Sequence, residues 1–150
     1  MFGLSRKPID PDALRRELPA TDTGAVVSFE GRVRRRNHGR DVRSLEYEAF
    51  DELAEKEGAR IMAESCERFA LLSAVCVHRV GHLKVGELAV WAAVTAEHRT
   101  EAFAACHYII DEVKTRVPIW KKEHYGSGRP EWITPADGSK GRAPRTAENL

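Results

Sequence analysis

The stretch LAVWAAVTAEHRTEAFAACHYIIDEVKTRVPIWKKE, residues 88–123, decides the fold. Leu88 to Val94 is an unbroken apolar run, long enough for a buried strand. It is far short of the about 20 residues a membrane-spanning helix needs. Beyond Thr95 the period changes. Phe103, Cys106, Ile110, Val113 and Val117 share one helical stripe, widened by Ala102, Ala105 and Ile109, and predict a helix over Thr100 to Val117. Pro118 ends it, because proline lacks an N–H and its ring clashes with the preceding turn.

Outward from this stretch the same two periods alternate. Leu72 to Val80 reads as a strand, and Gly81 and Gly86 punctuate the linker that follows. Asp51 to Phe69 reads as a helix with Leu53, Ile61, Met62, Cys66 and Phe69 on one stripe. The pairs Glu52/Lys56 and Glu64/Arg68, acid first and four apart, support it. Gly24 to Arg34 alternates, Ala25, Val27 and Phe29 against Val26, Ser28 and Glu30. Arg43 to Phe50 does the same, Leu45, Tyr47 and Ala49 against Ser44, Glu46 and Glu48. With Asn37-His38-Gly39 between them, these two runs predict an antiparallel hairpin. Pro8 to Pro19 reads as a short helix capped by Asp10, and Pro130 to Ile133 as a last short strand. The order α-ββ-α-ββ-α predicts an α+β, two-layer fold for residues 1–134 as a single domain. From Pro135 the sequence is small, polar and Pro/Gly-bearing, which predicts a flexible tail over 135–150.

The chain has 150 residues, 42% of them hydrophobic, which suits one domain. Lys plus Arg number 24 and Asp plus Glu 23, so no global charge argues for a nucleic-acid or membrane partner. Any electrostatic function must come from local clusters. The N-terminus lacks the apolar core of a signal peptide. Cys66, Cys76 and Cys106 are an odd set without a close pair. They predict reduced thiols in a cytoplasmic protein and no metal site. His78 and His82 have a ligand-like spacing, but on a strand and turn they read as core or surface histidines.

Three clusters could do chemistry. Arg32, Arg34, Arg35, Arg36, Arg40 and Arg43, with His38, crowd the predicted hairpin tip. Arginine forks suit phosphate or carboxylate, although the run alone fits a solvated tip that discourages edge pairing; alternation puts Arg32, Arg34 and Arg36 on one strand face, so at least two could act on a single ligand. At Thr95 to Thr100 a strand runs into a helix, with either threonine a candidate N-cap. If Thr95 caps, His98 and Arg99 fall in a first turn that already carries partial positive charge. A bound anion would account for them, and so would a hydrogen-bonded histidine with an ion-paired arginine. The third cluster runs from Lys114 through Trp120, Lys121, Lys122 and Glu123 to His124. A lysine crowded by cations in partly apolar surroundings would be biased towards the neutral amine, a nucleophile or proton donor. Simple complementation of the helix C-terminus explains Lys114 as well.

Two segments, GAVVSFEGRVRRRNHGRDVRSLEYEAF and HRVGHLKVGELAVWAAVTAEHRTEAFAACHYIIDEVKTRVPIWKKEHY, resemble the catalytic, large subunit of molybdopterin synthase in order and over most of the chain. The AEHR and KTRVPIWKKE motifs are the specific part. The resemblance implies an α/β-hammerhead fold with an additional antiparallel β-sheet. It implies a sulfurtransferase that adds two sulfurs to cyclic pyranopterin monophosphate, giving molybdopterin for molybdenum cofactor biosynthesis, with no cofactor of its own. The sulfur would come from the C-terminal thiocarboxylate of a small ubiquitin-like subunit. The assembly would be a heterotetramer built on a homodimer of this chain. Carried over residue by residue, Phe29, Arg32, Val33, Arg34, His98, Arg99, Lys114, Lys121, Lys122 and Glu123 match the substrate-binding pocket. Lys114 and Lys121 match the catalytic pair. An arginine expected shortly after Trp132 is replaced by Thr134-Pro135-Ala136; Arg142 or Arg145 could substitute, or the contact could be absent. A nucleic-acid-binding arginine ribbon and a non-catalytic assembly scaffold are the competing expectations. The first leaves the Lys114/Lys121 segment unexplained, and retention of all the pocket matches speaks against the second.

Overall fold

A computed structural model describes residues 1–133. The expected tail and its Arg142 and Arg145 lie outside the described residues. Twelve elements follow in chain order: β1 (Phe2–Ser5), α1 (Pro11–Arg16), β2 (Ala25–Arg32), β3 (Arg36–Asn37), β4 (Arg40–Ala49), α2 (Asp51–Arg68), β5 (Ser73–Arg79), β6 (Gly81–Lys84), β7 (Leu88–Ala96), α3 (Arg99–Arg116), β8 (Ile119–Tyr125) and β9 (Glu131–Ile133). They form two sheets. The first is ordered β1-β5-β7-β2, with β1 parallel to β5 and the other pairs antiparallel. The second is ordered β3-β4-β8-β9, with β6 also on β4, and is antiparallel throughout. This is the α+β hammerhead with an additional antiparallel sheet.

The apolar run of β7 explains its place. Every residue of β7 is buried. Val90, Ala92, Val94 and Ala96 pack under α2 and α3, while Trp91 and Ala93 pack against Ile9, Leu14 and Leu18 of the N-terminal segment. A strand covered on both faces has no need of polar alternation. β2 is covered on one face only, so Ala25, Val27 and Phe29 turn inwards and Val26, Ser28 and Glu30 outwards.

The predicted hairpin between the two alternating runs does not form. β2 pairs with β7, from Ala25 opposite Ala96 to Arg32 opposite Leu88. β4 pairs with β3, β6 and β8. Alternation determines which face of a strand is apolar and leaves its neighbour open. The turn residues act more locally than expected. His38 (φ 47°) and Gly39 (φ 76°) make the two-residue loop of a small β3–β4 hairpin, the positive-φ pair such a loop requires. β1 is four residues containing a glycine, too short to carry a period in the sequence.

Helix faces are also rotated from expectation at two positions. Phe103 is 64% exposed and Leu53 56%. α3 is buried through Ala102, Ala105, Cys106, Ile109, Ile110 and Val113, and alanines in that stripe let the helix sit close to the sheet. α2 is buried through Ala54, Gly58, Ile61, Met62 and Ser65. The Phe2 ring fills the space a Gly58 Cβ would take. Glu64 does not serve Arg68 as expected. Both its oxygens accept from Arg116, at 2.6 and 3.1 Å, and with Glu57 they tie α2 to α3.

Candidate active site

A cleft of about 600 Å³ opens where the two sheets meet the last turn of α3. The first sheet contributes Phe29 and Gly31 from β2, Ala89 and Val90 from β7, and His78 from β5. The second contributes Tyr47 from β4, with Ile119 and Lys121 from β8. Arg32 and Arg34 enter from the end of β2, Asn37 and His38 from the β3–β4 turn, and Lys114 from α3. A Cβ on Gly31 would stand 2.7 Å from Val90 Cγ1, so glycine lets β2 lie tightly over β7 where its register shifts.

Pro118 ends α3 and frees the chain to extend as β8, which carries Lys121 back beside Lys114. Alternation along β8 puts Lys121 and Glu123 on one face and Trp120, Lys122 and His124 on the other. Glu123 is only 3% exposed. Its Oε1 accepts from Asn37 Nδ2 at 2.7 Å and lies 3.3 Å from Lys121 Nζ. Its Oε2 accepts from the Tyr125 hydroxyl at 2.9 Å. Asn37 Oδ1 accepts from Arg34 Nη2 at 3.3 Å. The amide thus links a cleft arginine to a buried carboxylate and, through it, to a cleft lysine. Arg32 is held by Glu30 at 2.7 Å and by the Gly86 carbonyl at 3.2 Å.

Burial pushes the Tyr47 and Tyr125 phenols up to about 12, helped by the Glu123 charge and, for Tyr125, by its hydrogen bond to that carboxylate. Both remain protonated at neutral pH. Burial lowers His78 to about 4, and Lys114 adds to the shift against the opposing hydrogen bond to the Arg79 carbonyl. The cleft therefore presents four cations and a neutral imidazole beside a buried carboxylate. Such a site takes an anion with planar or apolar substance attached.

Of the expected site residues, Phe29, Arg32, Arg34, Lys114 and Lys121 line this cleft, and Glu123 lies directly behind Lys121. Val33 does not. Its side chain is buried with Leu45, Leu83 and Ala89, and its backbone bonds Glu87 and Gly86. Lys122 faces away, its Nζ 5.4 Å from the Trp132 ring centroid. Arg36, expected on one strand face with Arg32 and Arg34, belongs to the separate β3. Arg40 stacks on Tyr125 and pairs with Glu131.

His98 and Arg99 are not brought to the cleft of their own chain. Arg32 sits opposite Leu88 and Ala25 opposite Ala96, so the His98 end of β7 is the far end. Strand rise puts the two ends about 25 Å apart, and helix rise puts Arg99 about 22 Å from Lys114. Both side chains are exposed. Neither threonine caps α3. His98 is the N-cap residue, without a side-chain cap bond, and Arg99 opens the helix. Thr95 is buried in β7, its hydroxyl 2.8 Å from that of Ser73.

Sequence reasoning missed Asn37, Tyr47 and His78. Asn37 looked like turn chemistry and Tyr47 like a core aromatic. For His78 a signal existed: it continues the buried face of Ala74 and Cys76, where a polar residue needs a partner or a purpose. Among the described residues no set of three or more His, Cys, Asp or Glu could hold a metal ion. No helix among them is long and apolar enough to cross a membrane.

A family model described as "MoaE protein" matches residues 4–116. The molybdopterin synthase catalytic subunit of Pyrococcus abyssi is 51% identical over 116 residues, 77% of this chain and 78% of that protein. The crystal structure of molybdopterin synthase from Staphylococcus aureus superposes with a TM-score of 0.82 at 38% identity, covering 87% of this chain and 95% of that one. A chain from the complex of subunits 1 and 2 of the molybdopterin-converting factor of Helicobacter pylori shares the fold, with a TM-score of 0.73 at 18% identity over 92% of each chain.

Proposed function

The chain belongs to the MoaE family of molybdopterin synthase catalytic subunits and acts in molybdenum cofactor biosynthesis, and from that premise we propose the chemistry of its cleft. The reaction is sulfur transfer. The acceptor is cyclic pyranopterin monophosphate, and the donor is the C-terminal thiocarboxylate of a small ubiquitin-like subunit. Each sulfur forms a carbon–sulfur bond on the pterin side chain in place of a carbon–oxygen bond, and water cleaves the acyl–sulfur bond, leaving the carrier as a carboxylate.

One observation carries the proposal. Lys114 and Lys121, on different elements, meet Arg32 and Arg34 in one cleft large enough for a pterin. Both substrates are anions, and four convergent cations suit two anions without a high net charge. Arg32 and Arg34 hold the phosphate with forked donors. Lys114 and Lys121 neutralise the thiocarboxylate and the charge that develops as sulfur attacks, one of them as proton donor. Glu123, itself held by Asn37 and Tyr125, fixes the position of Lys121.

His98 and Arg99 join this site from a second copy of the chain. Their exposure and their distance from the cleft of their own protomer support that arrangement, as does an α3 N-terminus left without a side-chain cap. A homodimer with one small subunit per cleft follows. In Helicobacter pylori, subunits 1 and 2 of the molybdopterin-converting factor form a complex, which supports a second subunit as partner here.

The test is dithiolene formation from the cyclic precursor and thiocarboxylated small subunit. The expected result is turnover by the wild type and loss of at least about 100-fold in folded Lys114→Ala and Lys121→Ala variants. Near-normal sulfur transfer by folded Lys114→Ala overturns its role. Full-rate product from precursor and inorganic sulfide alone overturns the need for a carrier.

A further inference from the structure

His78 lines a cleft of cations, with Asn37 and Tyr47 as neutral neighbours. Its Nδ1 lies 2.7 Å from the Arg79 carbonyl oxygen. A carbonyl only accepts, so Nδ1 carries the proton and Nε2 keeps its lone pair. The Tyr47 ring stands edge-on to the imidazole, at 4.8 Å between centroids and 87° between planes. Backbone and tyrosine together fix the ring plane. Nε2 has no hydrogen-bond partner among the described residues, and the ring lines the cleft. A second proton on the ring would face the Lys114 ammonium without a compensating acid.

Arg32, Arg34, Lys114 and Lys121 can only donate hydrogen bonds. They recognise the anionic end of a ligand and give no purchase on its N–H groups. We propose that His78 is a substrate-contacting residue whose Nε2 accepts a hydrogen bond from an N–H of the bound pterin, fixing which edge of the heterocycle faces the lysines. This rests on the pterin reading of the cleft and adds a specificity determinant to it. The division of labour is chemical: guanidinium groups hold the phosphate, ammonium groups meet the thiocarboxylate, and the imidazole lone pair selects the ring.

The test uses the assembled enzyme with its thiocarboxylated small subunit and three variants. His78→Phe keeps a ring and loses the acceptor. His78→Asn retains a donor near Nδ1 only. His78→Gln returns a carbonyl oxygen near the Nε2 position. The expected result is KM for the cyclic precursor raised about tenfold in His78→Phe and His78→Asn, and recovered to within about threefold in His78→Gln. Inhibition by inorganic phosphate, which reports the cation end of the cleft, stays unchanged in all three. An unchanged KM in His78→Phe overturns the proposal. So does an equal loss of phosphate inhibition in every variant, which marks a collapsed cleft. If the wild type itself makes no dithiolene, the pterin reading fails and this assignment falls with it. Wild-type turnover with an indifferent His78→Phe defeats the His78 assignment alone.

Discussion

Asn37→Ala tests the link between the arginine loop and the lysine strand. The amide is buried and donates to Glu123 Oε1 at 2.7 Å. Glu123 retains Tyr125 on Oε2 and Lys121 at 3.3 Å, so the carboxylate loses one charge-assisted bond without becoming an isolated charge. Removing such a bond costs about 1.5–3 kcal/mol. The contact from the Arg34 guanidinium to Oδ1, at 3.3 Å, is long and adds little. The expected loss is therefore about 2 kcal/mol. Urea unfolding should show it as a lower midpoint with an unchanged slope. Asn37→Asp should be worse than Asn37→Ala, because it sets a second carboxylate against Glu123 in a buried site. Turnover should fall with stability, since Glu123, held then by Tyr125 alone, positions Lys121 less firmly. Asn37→Ala within about 0.5 kcal/mol of wild type, or Asn37→Asp as stable as Asn37→Ala, refutes the network as drawn.

Mixing Arg99→Ala with Lys114→Ala protein, each inactive alone, should restore turnover through mixed dimers that hold one intact site. No recovery after subunit exchange places both residues in one protomer's site. Gly58→Ala should lower stability by about 1–3 kcal/mol in thermal unfolding, because the new methyl meets the Phe2 ring; an unchanged Tm contradicts that packing. Acidification should expose His78. Its folded pKa of about 4 lies below the ordinary histidine value of 6.5, so the unfolded chain takes the proton first. Stability from this group is complete above about pH 6.5 and is lost as pH falls towards 4. The stability of wild type relative to His78→Phe should fall as pH drops through that window, measured by urea unfolding at several pH values. A constant difference shows that His78 titrates normally.

The site was legible where chemistry and local structure coincide. Lys114 follows from the last turn of a strongly periodic helix, and Pro118 predicts the break that brings Lys121 back. Phe29, Arg32 and Arg34 lie on or just beyond a strand whose alternation is plain. Legibility failed where a role depends on a distant partner. Asn37 fits a tight turn, and only the register of β4 against β3 and β8 shows that its amide meets Glu123. His78 and Tyr47 come from different sheets, and their ring contact has no local signature. Lys122 matches the family pocket in sequence beside Lys121, yet neighbours on a strand face opposite ways and its ammonium lies by Trp132.

The sequence alone determined the long strands and helices, the two-sided burial of β7 and the clustering of cations in three segments. Those properties are local, set by side-chain period, by proline and by backbone preference. Only the tertiary structure decided that β2 lies on β7 rather than β4, that Phe103 stays outside the core, and that His98 and Arg99 stand far from the lysines of their own chain. Strand partners and site convergence depend on contacts between residues far apart in the chain. A periodic pattern records which side of an element is buried and carries no record of what buries it.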